Sequence, residues 1–513
     1  MPSSLIRGKY VICRAISRTE VEMIENGAIF QQDGKIVEIG SYDELFAKYQ
    51  PDVVLGSPDD VVMPGFVNSH HHVGLTPLQL GSLDYPLELW FAGRFSARPV
   101  DLYLDTLYSA FEMIESGITT VQHIHGWRPG PSSTWPDVAG QILRAYDDIG
   151  MRVSYCYAVR DQNHFVYEPN EEFVKKLPPE IGPEIGAILQ QLEVPAEDYL
   201  EFFEYLWQQW HHHESGRIKI QLAPANLHWC SDKALDMLHA YAEKYQVGMH
   251  MHLLETAYQK VYAQKRTGKT AVRFLYDRGF LGPHITLGHG VWLTEEDIDL
   301  VAETGTMICH NASSNLRLQS GIAPLNYYAK KGVTVGMGLD EAGINDDRDM
   351  LQEMRMVLKL HRVPGMDELV PTSPQVFQMA TEHGAKTTGF APEIGTLEVG
   401  KAADLVVMNW HHIAYPYLDD DISVIDAVVH RSKTAGVEMV IVAGEVILKQ
   451  GQFTRINKEE ILAELSAHLN VPRTAEQERR RELAHAVFPH VKKFYDGWLG
   501  GECNPFYCQS CRS

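Results

Sequence analysis

The stretch PGFVNSHHHVG, residues 64–74, sets three consecutive histidines at the end of an apolar run. Alternate residues of a strand share a face, so His70 and His72 point one way and His71 the other. Two imidazoles on one face, a strand pitch apart, suit a metal ion, because histidine is the commonest metal ligand. The pattern recurs along the chain. The run ITTVQHIH ends in His123 and His125, and GMHMHLL carries His250 and His252. ITLGHGV carries His289, GTMICHN carries His310, and VTVGMGLD ends in Asp340. Glu255 follows three residues beyond His252, where that run has ended.

His70, His72, His252 and Asp340 make a nitrogen and oxygen ligand set of zinc type that leaves a position for water. An ion held there would lower the water's pKa toward ~7, supplying a nucleophile at neutral pH. A carboxylate beside the ion but not bound to it can take the water proton and pass it to a leaving nitrogen, and Glu255 fits that role. Nothing in the sequence resembles a serine nucleophile elbow. The stretches GHG and MGLDEAG are too short to cradle a phosphate, and no lysine of the P-loop type follows them.

Such side chains need a scaffold that gathers distant strand ends. Eight strand-like apolar runs lie between residues 61 and 340, most of them separated by helical stretches such as DLYLDTLYSAFEMIESG and SDKALDMLHAYAEKYQ. This alternation predicts an α/β fold, a (β/α)8 TIM-type barrel over residues 61–390, with its chemistry at the C-terminal strand ends. Residues 162–215 read as helices inserted between the third and fourth units. Residues 1–60 and 391–450 are strand-rich and are expected to pair into a small composite β-sandwich, with a hairpin turn at Asp33–Ile36. Residues 451–513 read as a helical C-terminal extension.

The 513 residues carry a net charge of −22, which argues against a nucleic-acid surface. As a whole-protein property it leans toward a neutral or cationic small molecule as substrate. No run of 18 apolar residues predicts a membrane span. The first twenty residues lack the charged-then-apolar pattern of a secretion signal, and seven irregularly spaced cysteines suit a reducing compartment, so the expected location is cytoplasmic. Cys503, Cys508 and Cys511 read as a solvated C-terminus; half of a small zinc site and an oxidisable tail are the other readings.

The motifs PGFVNSHHH, HLLET, LGHGVWLTEEDIDLVAETGTMICHN, GMGLD and IGTLEVGKAADLVV together resemble the amidohydrolase superfamily over roughly residues 5–450. The likeness is to the branch of chlorohydrolases and aminohydrolases that includes guanine deaminase, S-adenosylhomocysteine deaminase and the triazine hydrolases. It implies the barrel, the composite sandwich, a homodimer and one divalent ion, zinc before iron or manganese. It also implies His70, His72, His252 and Asp340 as ligands, Glu255 as the catalytic acid–base group, and His289 as the group that polarises substrate or water. The binuclear branches carry a carboxylated lysine after strand 4. Lys219 falls too early for that, so a single ion is expected.

The sequence departs from the relatives where substrates are read. After the AP dipeptide, where a substrate-binding histidine is frequent, stand Ala225, Asn226, Leu227, His228 and Trp229. With His125, Trp127 and His289, the residues Asn226, His228 and Trp229 are candidates for a pocket that takes a flat polar ring. The alternative is that Trp127 and Trp229 only pack the barrel mouth. The leading reading is a metal-dependent hydrolase that displaces an amino group from a small N-heterocyclic or amidine-like substrate, with Glu255, His289 and Asp340 as its catalytic residues, Asp340 assisting as a proton acceptor. An amide, urea or carbamate hydrolase and a dechlorinase are the alternatives on the same scaffold. A catalytically inactive scaffold predicts a missing ligand or acid–base residue, and none is missing.

Overall fold

The apolar run through residue 65 does not form one strand. Asp60–Pro64 and Phe66–His71 are separate strands divided at Gly65. A side chain at Gly65 would place its Cβ 2.2 Å from Thr119 Cγ2, so only glycine lets the chain pass here from one sheet into another. The computed structural model describes residues 3–126, 131–366 and 369–500.

Phe66–His71, Ile118–His125, Arg152–Val159, Ile218–Ile220 and Ala223–Pro224 form one parallel sheet. Met249–Leu253, Ile285–His289, Met307–His310 and Val335–Met337 form a second, also parallel. Single parallel bridges, His71 to Asp340 and Leu222 to Met249, link the two sheets at both edges. The register sets His71 beside His123 and His252 beside Gly288, which levels the histidine-bearing strand ends. Every residue of Ile118–His125 and Arg152–Val159 is buried, which is why these strands read as unbroken apolar runs. The helices between strands start on side-chain caps: Asp101 accepts from the Leu104 N–H, Ser231 from that of Ala234, and Thr294 from that of Asp297.

The two ends of the chain share a nine-stranded sheet. In it Asp60–Pro64 runs antiparallel to Leu405–Asn409 and parallel to Ser4–Ala15. The hairpin joins Val21–Gln32 to Lys35–Ser41 through Asp33 and Gly34, both with positive φ (52° and 79°), the requirement of a tight two-residue turn. A buried two-pronged ion pair fastens this sheet to the parallel one. Arg152 Nε and Nη2 lie 2.6 and 3.0 Å from the Asp404 carboxylate.

Residues 162–215 contain the helices Asn170–Val174, Gly182–Gln190 and Ala196–Trp210. The C-terminal extension forms Lys458–Leu469 and Ala475–Phe494. Leu483, Val487 and Val491 of the last helix pack with Phe95, Phe173 and Ile185, so it lies on the insertion instead of projecting as an arm. Among the described residues no helix is long and apolar enough to cross a membrane.

Candidate active site

His72 and His252 are each aimed by a backbone carbonyl. His72 Nδ1 is 2.6 Å from Ile124 O, and His252 Nδ1 is 2.8 Å from Ala225 O. A carbonyl only accepts, so Nδ1 of each ring carries the proton and Nε2 presents a lone pair. Those two Nε2 atoms lie 3.1 Å apart, and His70 Nε2 is 3.0 Å from that of His72. Asp340 Oδ1 lies 3.2 Å from His72 Nε2 and 3.7 Å from His70 Nε2. Lone pairs and a carboxylate converging on one buried point repel one another unless a cation sits among them. The donor set therefore fits one divalent metal ion.

The surroundings hold these ligands still. His70 Nδ1 meets His250 Nε2 at 2.8 Å. Asp340 accepts from Ser314 Oγ on Oδ2 at 2.7 Å, and its N–H donates to His70 O at 2.8 Å. Asp340 and His289 both have positive φ (56° and 72°), backbone strain of the kind found at functional strand ends. His71 faces away, with Nε2 3.2 Å from Ser109 Oγ and Nδ1 3.3 Å from Asp340 O.

Glu255 follows Leu254, whose positive φ of 53° turns the chain out of Met249–Leu253. It stands outside the ligand clusters, with Oε2 3.6 Å from His289 Nε2. Burial, with the charges of Asp340 and Glu88 adding to it, pushes its carboxyl well above the ordinary range. His289 Nδ1 lies 2.9 Å from Asn315 Oδ1 and its Nε2 3.8 Å from Asp340 Oδ2. Burial lowers the His289 pKa, against the opposing pull of Asp340 and Asn315, and its Nε2, with Asn311 Nδ2 3.4 Å away, faces Glu255.

A cavity of about 340 Å³ opens above these groups. His72, His252, Glu255, His289 and Asp340 line its floor, and Trp90, Phe91, Phe95 and Trp229 its walls. Of the candidate substrate residues, His125, Trp229 and His289 line the cavity. Asn226 and His228 are buried outside that lining: Asn226 Oδ1 accepts from the Leu227 N–H at 2.7 Å, and His228 packs against Tyr167 with ring centroids 4.1 Å apart and the planes tilted by 33°. Trp127 lies outside the described residues, as do Cys503, Cys508 and Cys511.

Sequence reasoning missed Phe91, Arg94 and Arg160 in the wall, and Glu88 behind Glu255. Glu88 accepts from Thr256 Oγ1 at 2.6 Å and from Tyr167 OH at 2.7 Å. The signal for Arg160 was its place one residue past the strand Arg152–Val159, where a barrel presents its chemistry.

Residues 61–447 match the amidohydrolase family. The chain belongs to that family. The amidohydrolase is a hydrolase acting on carbon–nitrogen bonds. It is 29% identical over 466 residues to a 5-methylthioadenosine/S-adenosylhomocysteine deaminase of Thermodesulfovibrio yellowstonii, covering 89% of this chain and 96% of that one. In fold it is similar to an adenosine deaminase from Xanthomonas campestris with bound zinc, at a TM-score of 0.76 and 22% identity over 93% of this chain and 98% of that one. It is likewise similar to the atrazine chlorohydrolase of Arthrobacter aurescens TC1 in complex with zinc, at a TM-score of 0.78 and 22% identity over 90% and 99%.

Proposed function

We propose that this amidohydrolase is a zinc-dependent deaminase of small N-heterocyclic amines. The observation that carries the reading is the placement of Glu255 beside the ligand cluster and His289, in a cavity of about 340 Å³ with aromatic walls. Zinc bound by His70, His72, His252 and Asp340 supplies the acidity that makes water a nucleophile at neutral pH. Glu255 takes a proton from the attacking water and delivers it to the departing amine. His289, neutral and fixed by Asn315, accepts a hydrogen bond from the water and orients it. Asp340 keeps its second oxygen on Ser314 throughout, which fixes the carboxylate plane.

The leaving group decides between deamination and dechlorination. Chloride departs without a proton, whereas an amine needs one, and Glu255, buried beside the ligand cluster with Oε2 3.6 Å from His289 Nε2, is placed to carry the water's proton to a departing amine. The deaminase names carried by the similar proteins support the same choice.

The proposal extends to architecture. With Ile218–Ile220 and Ala223–Pro224 taken as one interrupted strand, the eight parallel strands close as a (β/α)8 barrel over residues 61–390, and segments 1–60 and 391–450 fold together as a composite sandwich, followed by the extension 451–513. A cytoplasmic homodimer completes it, to be checked by light scattering and cell fractionation.

The test is an ammonia-release screen of purines, pyrimidines, triazines and ureas, with metal analysis of the purified protein. Stoichiometric ammonia and a ring bearing oxygen in place of the amine support the reading. Chloride release, or a carboxylic acid from an amide, overturns it.

A further inference from the structure

The proton shuttle of the proposed reaction needs the Glu255 carboxyl held in one place, yet that carboxyl is itself loosely held. Its Oε1 lies 3.5 Å from Ser320 Oγ and its Oε2 3.6 Å from His289 Nε2. The backbone turn that carries it is tightly fixed. Glu255 donates its N–H to Gln259 Oε1 at 2.7 Å, and Thr256 Oγ1 caps the helix Ala257–Thr267 by accepting from the Gln259 N–H. A hydroxyl has one proton to give, and that of Thr256 goes to Glu88 Oε1 at 2.6 Å.

Glu88 sits in the cavity-wall helix Leu87–Arg94, 4% exposed, and takes no part in the proposed proton transfer. Its Oε1 accepts a second hydroxyl bond, from Tyr167 at 2.7 Å, while Oε2 is buried without a partner. Among the described residues no cation acts on it, and burial pushes its carboxyl above the ordinary range against the pull of the two hydroxyls. A buried carboxyl without a counter-charge is costly to keep. Its O–H···O bonds, at 2.6 and 2.7 Å, are of the short and strong kind. The two donors come from different parts of the chain. Thr256 follows the catalytic glutamate, and Tyr167 belongs to the insertion 162–215. Tyr167 in turn donates its N–H to Tyr495 OH at 3.2 Å, at the end of the last helix. Tyr258, in the helix that Thr256 caps, packs edge-on against the same Tyr495 ring, with centroids 5.2 Å apart. Cavity wall, insertion, C-terminal extension and catalytic turn thus meet at one buried carboxyl.

We infer that Glu88 is a positioning residue for Glu255: it anchors the Thr256 turn to the cavity wall, braced by Tyr167 and Tyr495, and so keeps the catalytic carboxyl within reach of the attacking water and the departing group. A misplacement of about 1 Å at the reacting groups costs about 10²-fold in rate. The insertion and the C-terminal extension, which lie outside the barrel strands, thereby take a share in catalysis. The inference rests on the reading of Glu255 as the proton-transfer group and holds whichever leaving group departs.

The full-length zinc-loaded enzyme tests it, assayed with the amine that releases ammonia. Glu88→Ala and Thr256→Val lower kcat by about 10–100-fold with full metal content, while KM stays within about twofold. Glu88→Gln, which offers Oε1 to the same hydroxyls, and Thr256→Ser, which keeps the hydroxyl, recover most of that loss. In the crystal structure of zinc-loaded Glu88→Ala the Glu255 carboxyl is displaced from its wild-type place. A role in stability alone would lower Tm and leave kcat of the folded variants unchanged, which overturns the inference. So does a loss of rate that comes with loss of metal, or one that neither conservative variant recovers. If no amine in the screen releases ammonia, the deaminase reading falls, and the crystal structure decides the inference alone: a displaced Glu255 upholds it, and an unmoved one overturns it.

Discussion

The Nε2 atoms of His72 and His252 lie 3.1 Å apart, and as neutral rings, with Nδ1 donating to a carbonyl, neither has a proton to place between them. Both protons are committed to carbonyls, those of Ile124 and Ala225. The pair is therefore held together by what it shares with a cation. His70→Ala and Asp340→Ala should lose bound metal and activity together while circular dichroism stays that of the folded protein. Full metal content in either variant would remove that residue from the ligand set. Chelator treatment of the wild type should lower Tm, since an ion at a thousand times its Kd adds about 4 kcal/mol to the folded state.

Glu255 stands beside the metal cluster and not in it. Glu255→Gln should keep the metal and the fold and lower kcat by about 10²–10⁴-fold, the usual contribution of positioned proton transfer. An apoprotein would make Glu255 a ligand, and near-normal turnover would move the proton-transfer role to another group.

Trp229 and His125 share the cavity wall, while His228 packs against Trp229 outside the lining. Trp229→Ala and His125→Ala should raise KM with metal content intact. His228→Ala should act on Tm more than on KM, because its ring packs and does not line the cavity. Unchanged kinetics in both wall variants would reduce them to packing residues.

The ligand set was legible because strand alternation is a strict rule. It separates His70 and His72 from His71, and the structure sends His71 toward Ser109 on the far side. The same rule could not locate the break at Gly65, since the apolar run continues across it and only the proximity of Thr119 forbids a side chain. Asn226 and His228 looked like site residues from their place after a strand, but position along a chain does not fix which way a turn aims its side chains. The wall arginines were illegible for a different reason. Net charge averages over the whole chain, and Arg94, Arg160 and Arg480 come together only after folding.

Arg348 is fully buried and clamps both ligand-bearing loops. It donates to the carbonyls of Val73 and Gly74, just past His72, and to that of Glu341, just past Asp340, and pairs with Glu112 at 2.6 Å. Arg348→Met would leave these acceptors buried without a donor. It should cost about 3–5 kcal/mol of stability, read as a fall in Tm, and should weaken metal affinity by about 10–100-fold. A variant with lower Tm and normal metal affinity would confine Arg348 to a structural role.

Glu353, in the helix Met350–Leu360, gives the fold a titration of its own. It is 1% exposed and accepts from both the N–H and the hydroxyl of Ser313, beneath the turn that carries Ser314 and Asn315. Burial raises its pKa from 4.5 to about 7, although the Ser313 hydrogen bonds pull the other way. The folded protein thus keeps this proton up to about pH 7, while the unfolded chain releases it near 4.5. Stability from this group is fully present below 4.5, falls as pH rises from 4.5 to about 7, and is flat above that. The loss amounts to about 3 kcal/mol. Glu353→Gln keeps an acceptor for the Ser313 N–H and offers a donor to its hydroxyl, and it does not titrate. The variant should match the wild type near pH 4.5 and become progressively more stable than it toward pH 8, read as a difference in Tm that grows with pH and then levels. A difference independent of pH would mean that Glu353 titrates alike in the folded and unfolded chain.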